Sequence, residues 1–95
     1  MMRIEWSAAA SSDLETILFQ IAAENVSVAI RVDSQIERHV DLLADFPWMG
    51  RRGRLAGTRE LVVPRCRCVV AYLVDGEIVR ILRVIHGGQE WPAIL

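Results

Sequence analysis

The sequence predicts an α+β domain of order β-α-α-β-β-β, with a helical hairpin packed on one face of a mostly antiparallel sheet. Three observations carry that expectation. Apolar residues recur at helical spacing through two stretches of the first half. After Thr58 the period becomes strand-like, with many β-branched residues. Near the end, Asp75-Gly76 separates two apolar runs.

The elements follow in order. Arg3 to Trp6 is a short extended segment. Ser7 can cap a helix through Ala8–Ala10, and Ser12-Asp13-Leu14-Glu15 offers a second start shaped like a capping box. Leu14, Ile17, Leu18, Ile21 and Ala22 then share one helical face. Asn25 to Ser27 breaks the pattern and can cap a second helix. Its stripe is Ala29, Val32, Ile36, Val40 and Leu43, and its wet side is Asp33, Glu37, Arg38 and Asp41. Pro47 ends it, because the residue before a proline resists helical geometry. A connection of about three residues makes the two helices an antiparallel hairpin.

Pro47 to Gly57 reads as a loop with three glycines and three arginines, and Trp48 in it is expected to pack the end of the second helix. Strands are expected at Arg59–Val63, Arg67–Val74 and Glu77–His86. Val74-Asp75-Gly76-Glu77 reads as a two-residue hairpin centred on Asp75-Gly76.

Length bounds the chain to one domain over residues 1–95. An apolar fraction of 53% argues against disorder and for a partner over part of the surface. No apolar run approaches the ~18 residues of a membrane span. Glu5 follows Arg3 too closely for a signal segment, so a cytoplasmic protein is expected. Cys66 and Cys68 stand too close for a comfortable disulfide on a strand. With His39 and His86 they match no zinc spacing, so packed thiols and no metal are expected. No strand–loop–helix context surrounds the arginine loop, so it is no nucleotide cradle; no cofactor is expected.

Charge divides unevenly. Residues 1–50 hold three Arg and eight acids, whereas residues 51–95 hold eight Arg and four acids. The densest cluster, Arg51-Arg52-Gly53-Arg54, can follow a phosphate backbone or lie solvated. Alternation along the strands gives two sets of side chains. One set contains Arg59, Leu61, Arg67, Val69, Ile81, Arg83 and Ile85; the other contains Glu60, Cys68, Tyr72 and His86. Both are substantially apolar, yet one hairpin covers only one face. A bound partner is expected on the other, with self-association or the C-terminal tail as the alternative cover.

The runs Gly57 to Val63, Val69-Val70-Ala71-Tyr72, and Ile81 to Gly87, with Glu5-Trp6-Ser7, Asp13-Leu14-Glu15, Phe46-Pro47 and Gly50-Arg51 before them, together resemble the RelE/ParE toxin superfamily. The resemblance covers nearly the whole chain in order. It implies the toxin of a type II toxin–antitoxin pair, held by a small antitoxin that wraps it. RelE-like members cleave messenger RNA on the ribosome with a basic cluster. ParE-like members lack that cluster and poison DNA gyrase.

Metal-free RNA cleavage needs a base, cations for the phosphorane and an acid. Set against RelE-like enzymes, Arg59 falls on one basic strand position, but Leu61 stands at the next. Cys68 or Val69, then Gly87 or Gly88, fall near two further basic positions, and Trp91 near the late Tyr. The catalytic candidates are Arg59, Arg83 and His86. The alternatives are pairing with Glu60's neighbours or an antitoxin carboxylate for Arg59, a buried or half-buried ion pair for Arg83, and a backbone-bonded, strand-end role for His86. The expected function is therefore a ParE-like gyrase inhibitor neutralised by an antitoxin. A RelE-type ribonuclease, or a degenerate toxin that only binds its antitoxin, is the alternative. The expected binding residues are Arg51, Arg52, Arg54, Arg59, Leu61, Arg67, Val69, Ile81, Arg83, Ile85 and Trp91.

Overall fold

A computed structural model describes residues 1–92. In chain order the elements are β1 (Arg3–Trp6), α1 (Ala8–Glu24), α2 (Val26–Leu42), β2 (Arg51–Arg52), β3 (Arg59–Val63), β4 (Cys68–Asp75) and β5 (Ile78–His86). The strands form one five-stranded sheet in the order β1-β5-β4-β3-β2. β1 runs parallel to β5, and the other neighbours are antiparallel. The expected order is met. The addition is β2, which turns part of the arginine loop into an edge strand on β3. No helix among the described residues is long and apolar enough to cross a membrane.

Local chemistry explains the helix limits. Ser7, rather than Ser12, starts α1. Its Oγ accepts the Ala10 N–H at 3.0 Å and donates to the Leu82 carbonyl at 3.0 Å, so one hydroxyl caps the helix and ties it to β5. Asn25 alone separates the helices. Its N–H bonds the Ile21 carbonyl at 2.9 Å, and its Oδ1 accepts the Val28 N–H at 3.2 Å. The hairpin is thus tighter than the three-residue connection expected.

The helices bury Ala10, Ile17, Val32, Ile36 and Val40 against Leu61, Val63, Val70, Val79, Ile81 and Val84 of the sheet. Each aliphatic side chain so enclosed contributes about 1.5–3 kcal/mol relative to exposure.

Three expectations need correction. The β4–β5 turn is centred on Gly76-Glu77, because Asp75 pairs with Ile78. Gly76 takes φ 60°, matching the hairpin class that puts glycine first rather than second. The turn before β4 also extends through Arg67, which with Arg65 adopts left-handed φ of 57° and 74°. The Cys66 thiol donates to the Val63 carbonyl at 3.7 Å and the Cys68 thiol to the Cys66 carbonyl at 3.5 Å, which holds that turn closed.

The third correction concerns the faces. Arg59, Leu61 and Val63 pair with Tyr72, Val70 and Cys68, so these six share the helix-covered face. Tyr72 pairs with Ile81 but Ala71 with Arg83, which leaves Leu82 as an extra residue. This bulge reverses the parity of β5, so Ile81 and Val84 both face the helices. The opposite face carries Val62, Val69 and Ile85; Glu60, Ala71 and Arg83; and Glu5, Leu73 and Arg80. It is not an open apolar sheet. Glu60, Ala71 and Ile85 are buried. At the β1 end Arg80 pairs with Glu5 at 3.0 Å and Asp75 at 3.3 Å. At the other end Trp91 of the tail meets Arg54, whose guanidinium carbon lies 4.0 Å from the ring centroid. The face is thus part charged and part buried, with Val62, 47% exposed, left open on it.

Candidate functional site

The arginine loop is organised by Glu60, the one buried charged side chain among the described residues, 3% exposed. Its Oε1 accepts Arg51 Nε at 3.2 Å and Nη2 at 3.0 Å, and its Oε2 accepts the Arg54 N–H at 2.9 Å. The short β2–β3 pairing produces this arrangement, since it places Arg51 directly opposite Glu60. A buried carboxylate is costly unless paired and hydrogen-bonded, and the loop supplies both. Arg51 and Arg54 are therefore struts. Arg54 also stacks on Trp91. Of the three loop arginines, only Arg52 enters no ion pair among the described residues.

A second cluster fixes the segment after α2. Arg59 Nη1 donates to the Gly50 carbonyl at 2.7 Å and the Trp48 carbonyl at 3.2 Å. Beside it, the Tyr72 hydroxyl donates to the Pro47 carbonyl and accepts the Gly50 N–H, both at 2.9 Å. Burial pushes the Tyr72 hydroxyl above its ordinary pKa, so it is a clamp and not a ready proton donor. Held this way, Trp48 does not pack the end of α2 as expected. It is 63% exposed and lies under the Arg59 guanidinium at 4.9 Å.

Arg83 forms a third centre. At the stretch of β5 beyond β1, Asp13 of α1 accepts Arg83 Nε at 2.7 Å, Arg83 Nη2 at 2.9 Å and the Val84 N–H at 3.0 Å. The bidentate bond to Asp13 raises the Arg83 guanidinium above its ordinary pKa. His86 stands opposite Cys68, half-buried beside a polar hollow lined by Asp13, Thr16, Gln20 and Gln89.

Arg59 and His86 do not converge. Arg59 lies opposite Tyr72 and His86 opposite Cys68. Four residues along β4 amount to roughly 13 Å at about 3.3 Å per residue. Arg83 points to Asp13. Arg83 has the ion pair named as its alternative, in Asp13; Arg59 has instead the backbone carbonyls of Trp48 and Gly50.

Among the expected binding residues, Leu61 and Ile81 are core residues, 6% and 0% exposed, and Ile85 is buried on the other face at 4%. None of the three can present itself to a partner. Val69 and Trp91 are half-buried, and Arg67 sits exposed in the turn before β4. Sequence reasoning passed over Asp13, Glu60 and Tyr72 as organisers, and Trp48 as an exposed aromatic. The first three were visible only as letters within matched runs.

Cys66 and Cys68 are free and buried. Hydrogen bonding from Cys68 draws the Cys66 thiol down to about 7, while the same contact and burial push Cys68 up. Among the described residues no group of three or more His, Cys, Asp or Glu is placed to hold a metal ion.

A helical hairpin on a mixed five-stranded sheet, with its arginines turned to internal clamps, defines a small toxin fold of the RelE/ParE type. Residues 4–91 match the family described as the ParE toxin of the type II toxin–antitoxin system parDE. The chain belongs to that family. It is similar to Y4kP of Sinorhizobium fredii, 38% identical over 93 residues, which cover 98% of this chain and 96% of that one. Toxin RelE2 of Caulobacter vibrioides is 33% identical over 91 residues, 94% of this chain and 99% of the other. A solved structure of the chromosomal ParDE system from P. aeruginosa superposes with a TM-score of 0.82 at 25% identity, covering 90% of this chain and 96% of that one.

Proposed function

We propose that this protein is the toxin of a ParDE-like pair that acts by binding: it inhibits DNA gyrase and is neutralised by a cognate antitoxin. The observation that carries the reading is the commitment of the arginines. Arg51 holds Glu60, with the Arg54 guanidinium 3.9 Å from the same carboxylate, Arg83 holds Asp13, and Arg59 holds the Trp48 and Gly50 carbonyls. Phosphorane stabilisation needs cations aimed together at one reacting phosphate. Here they are aimed at separate internal acceptors. The family match and the ParDE structure support the same reading, with the antitoxin as partner.

A supercoiling assay tests it. Purified protein is expected to inhibit gyrase, and addition of the protein encoded by the adjoining reading frame is expected to restore activity. Undiminished supercoiling at micromolar toxin would contradict the gyrase reading.

A further inference from the structure

An exposed aromatic side chain stands beside the arginine loop. Trp48 is 63% exposed and Leu55 is 41% exposed. Both line a groove of about 470 Å³, which Arg52, Thr58, Arg59 and Val74 also line. The groove has two guanidinium groups and no carboxylate on its walls. Arg52 is without an ion-pair partner among the described residues. Arg59 uses Nη1 on the loop carbonyls, and its remaining N–H groups are not bonded among the described residues. The apolar strip continues beside the groove through Phe46 and Met49, 60% and 43% exposed.

An aromatic wall, an aliphatic wall, the unpaired Arg52 and the remaining N–H groups of a tethered Arg59 select a particular occupant. Arginine forks bind carboxylates in bidentate geometry, and exposed tryptophans with arginines are the residue types that anchor protein interfaces. A nucleic-acid backbone would need a row of free cations to follow successive phosphates. Arg51, which would extend that row, is bound to Glu60 instead, and the Arg54 guanidinium lies over the Trp91 ring, 3.9 Å from the same carboxylate. The balance favours a peptide.

We infer that the Trp48–Leu55 groove receives an amphipathic acidic segment of the antitoxin, with an apolar side chain against Trp48 and a carboxylate on Arg52. This inference rests on the toxin–antitoxin reading and adds the place and chemistry of contact. The test is calorimetric titration of the protein encoded by the adjoining reading frame into wild-type toxin, Trp48→Ala, Arg52→Glu and the control Arg31→Ala on α2. Far-UV circular dichroism and melting confirm the fold of each. Trp48→Ala is expected to weaken binding by about 30-fold or more, and Arg52→Glu by about 10-fold, most at low salt. Arg31→Ala should match wild type.

Tight binding by all four proteins alike would overturn the groove while leaving the toxin–antitoxin reading intact. Loss of gyrase inhibition or of RNA binding in Trp48→Ala, with antitoxin affinity kept, would reassign the groove and also overturn the inference. So would a wild-type dimer in sedimentation that Trp48→Ala dissociates without changing antitoxin affinity. A wild-type toxin that does not bind the neighbouring protein would remove the reading itself.

Discussion

Asp13→Ala is expected to lower the unfolding free energy by about 3 kcal/mol, at the low end of the ~3–5 kcal/mol for breaking a buried pair. The side chain is 12% exposed and makes three bonds, two to Arg83 and one to the Val84 N–H. These bonds fasten α1 to β5 where β1 no longer covers the strand. Removing the carboxylate leaves a guanidinium 25% exposed and a backbone donor at the sheet edge without acceptors. The partial exposure of Arg83 lets water recover some of the loss, which is why the low end applies. For a domain of this size the melting temperature should fall on the order of 15 °C. Asp13→Asn keeps an acceptor for Val84 but gives up the charge, and should cost roughly 1–2 kcal/mol. Urea denaturation of the three proteins checks both values. Equal midpoints would mean that the Asp13 contacts do not hold the helix.

Gly50→Ala should cost a similar amount for a different reason. A Cβ at Gly50 would stand 2.7 Å from the Tyr72 ring and hydroxyl and 2.9 Å from the Glu60 carbonyl. Tyr72 is fully buried and its hydroxyl is bonded on both sides, so it has no free direction of retreat. The backbone of β3 is fixed by the sheet. Overpacking of this kind costs about 1–3 kcal/mol, occasionally more. The upper part of that range is expected, because relief also breaks the clamp on Pro47–Gly50. A thermal melt measures the loss. Fluorescence of Trp48 should shift with it, since the segment that presents the indole loses its anchor. An alanine variant as stable as wild type would show that the loop has room the geometry denies.

What the sequence revealed and what it hid follow one physical division. Ser7 and Asn25 act on neighbours within about one helical turn, so the helix starts were legible. Pro47 overshot the end of α2, which stops at Leu42 with Leu43 as its cap. The Asp-Gly pair located the last hairpin but misplaced its centre by one residue, because pairing of Asp75 with Ile78 is decided across strands. The faces were harder. A bulge at Leu82 reverses the side-chain alternation of half of β5, and no local signal marks it. The site suffered most. Arg51 looks like free charge in the chain and becomes a strut only because a two-residue strand sets it opposite Glu60, whose carboxylate also takes the Arg54 backbone N–H. Arg83 finds its acceptor 70 residues away. The sheet face expected to be open is part charged and part buried, and an exposed apolar strip lies elsewhere, at Phe46, Trp48 and Met49.

The central claim is that these arginines brace the molecule and that it acts by contact alone. Incubating the purified protein in a translation extract and mapping messenger ends tests this most directly. The account predicts full-length messenger at concentrations that block gyrase. Codon-spaced cuts that disappear with His86→Ala would contradict it.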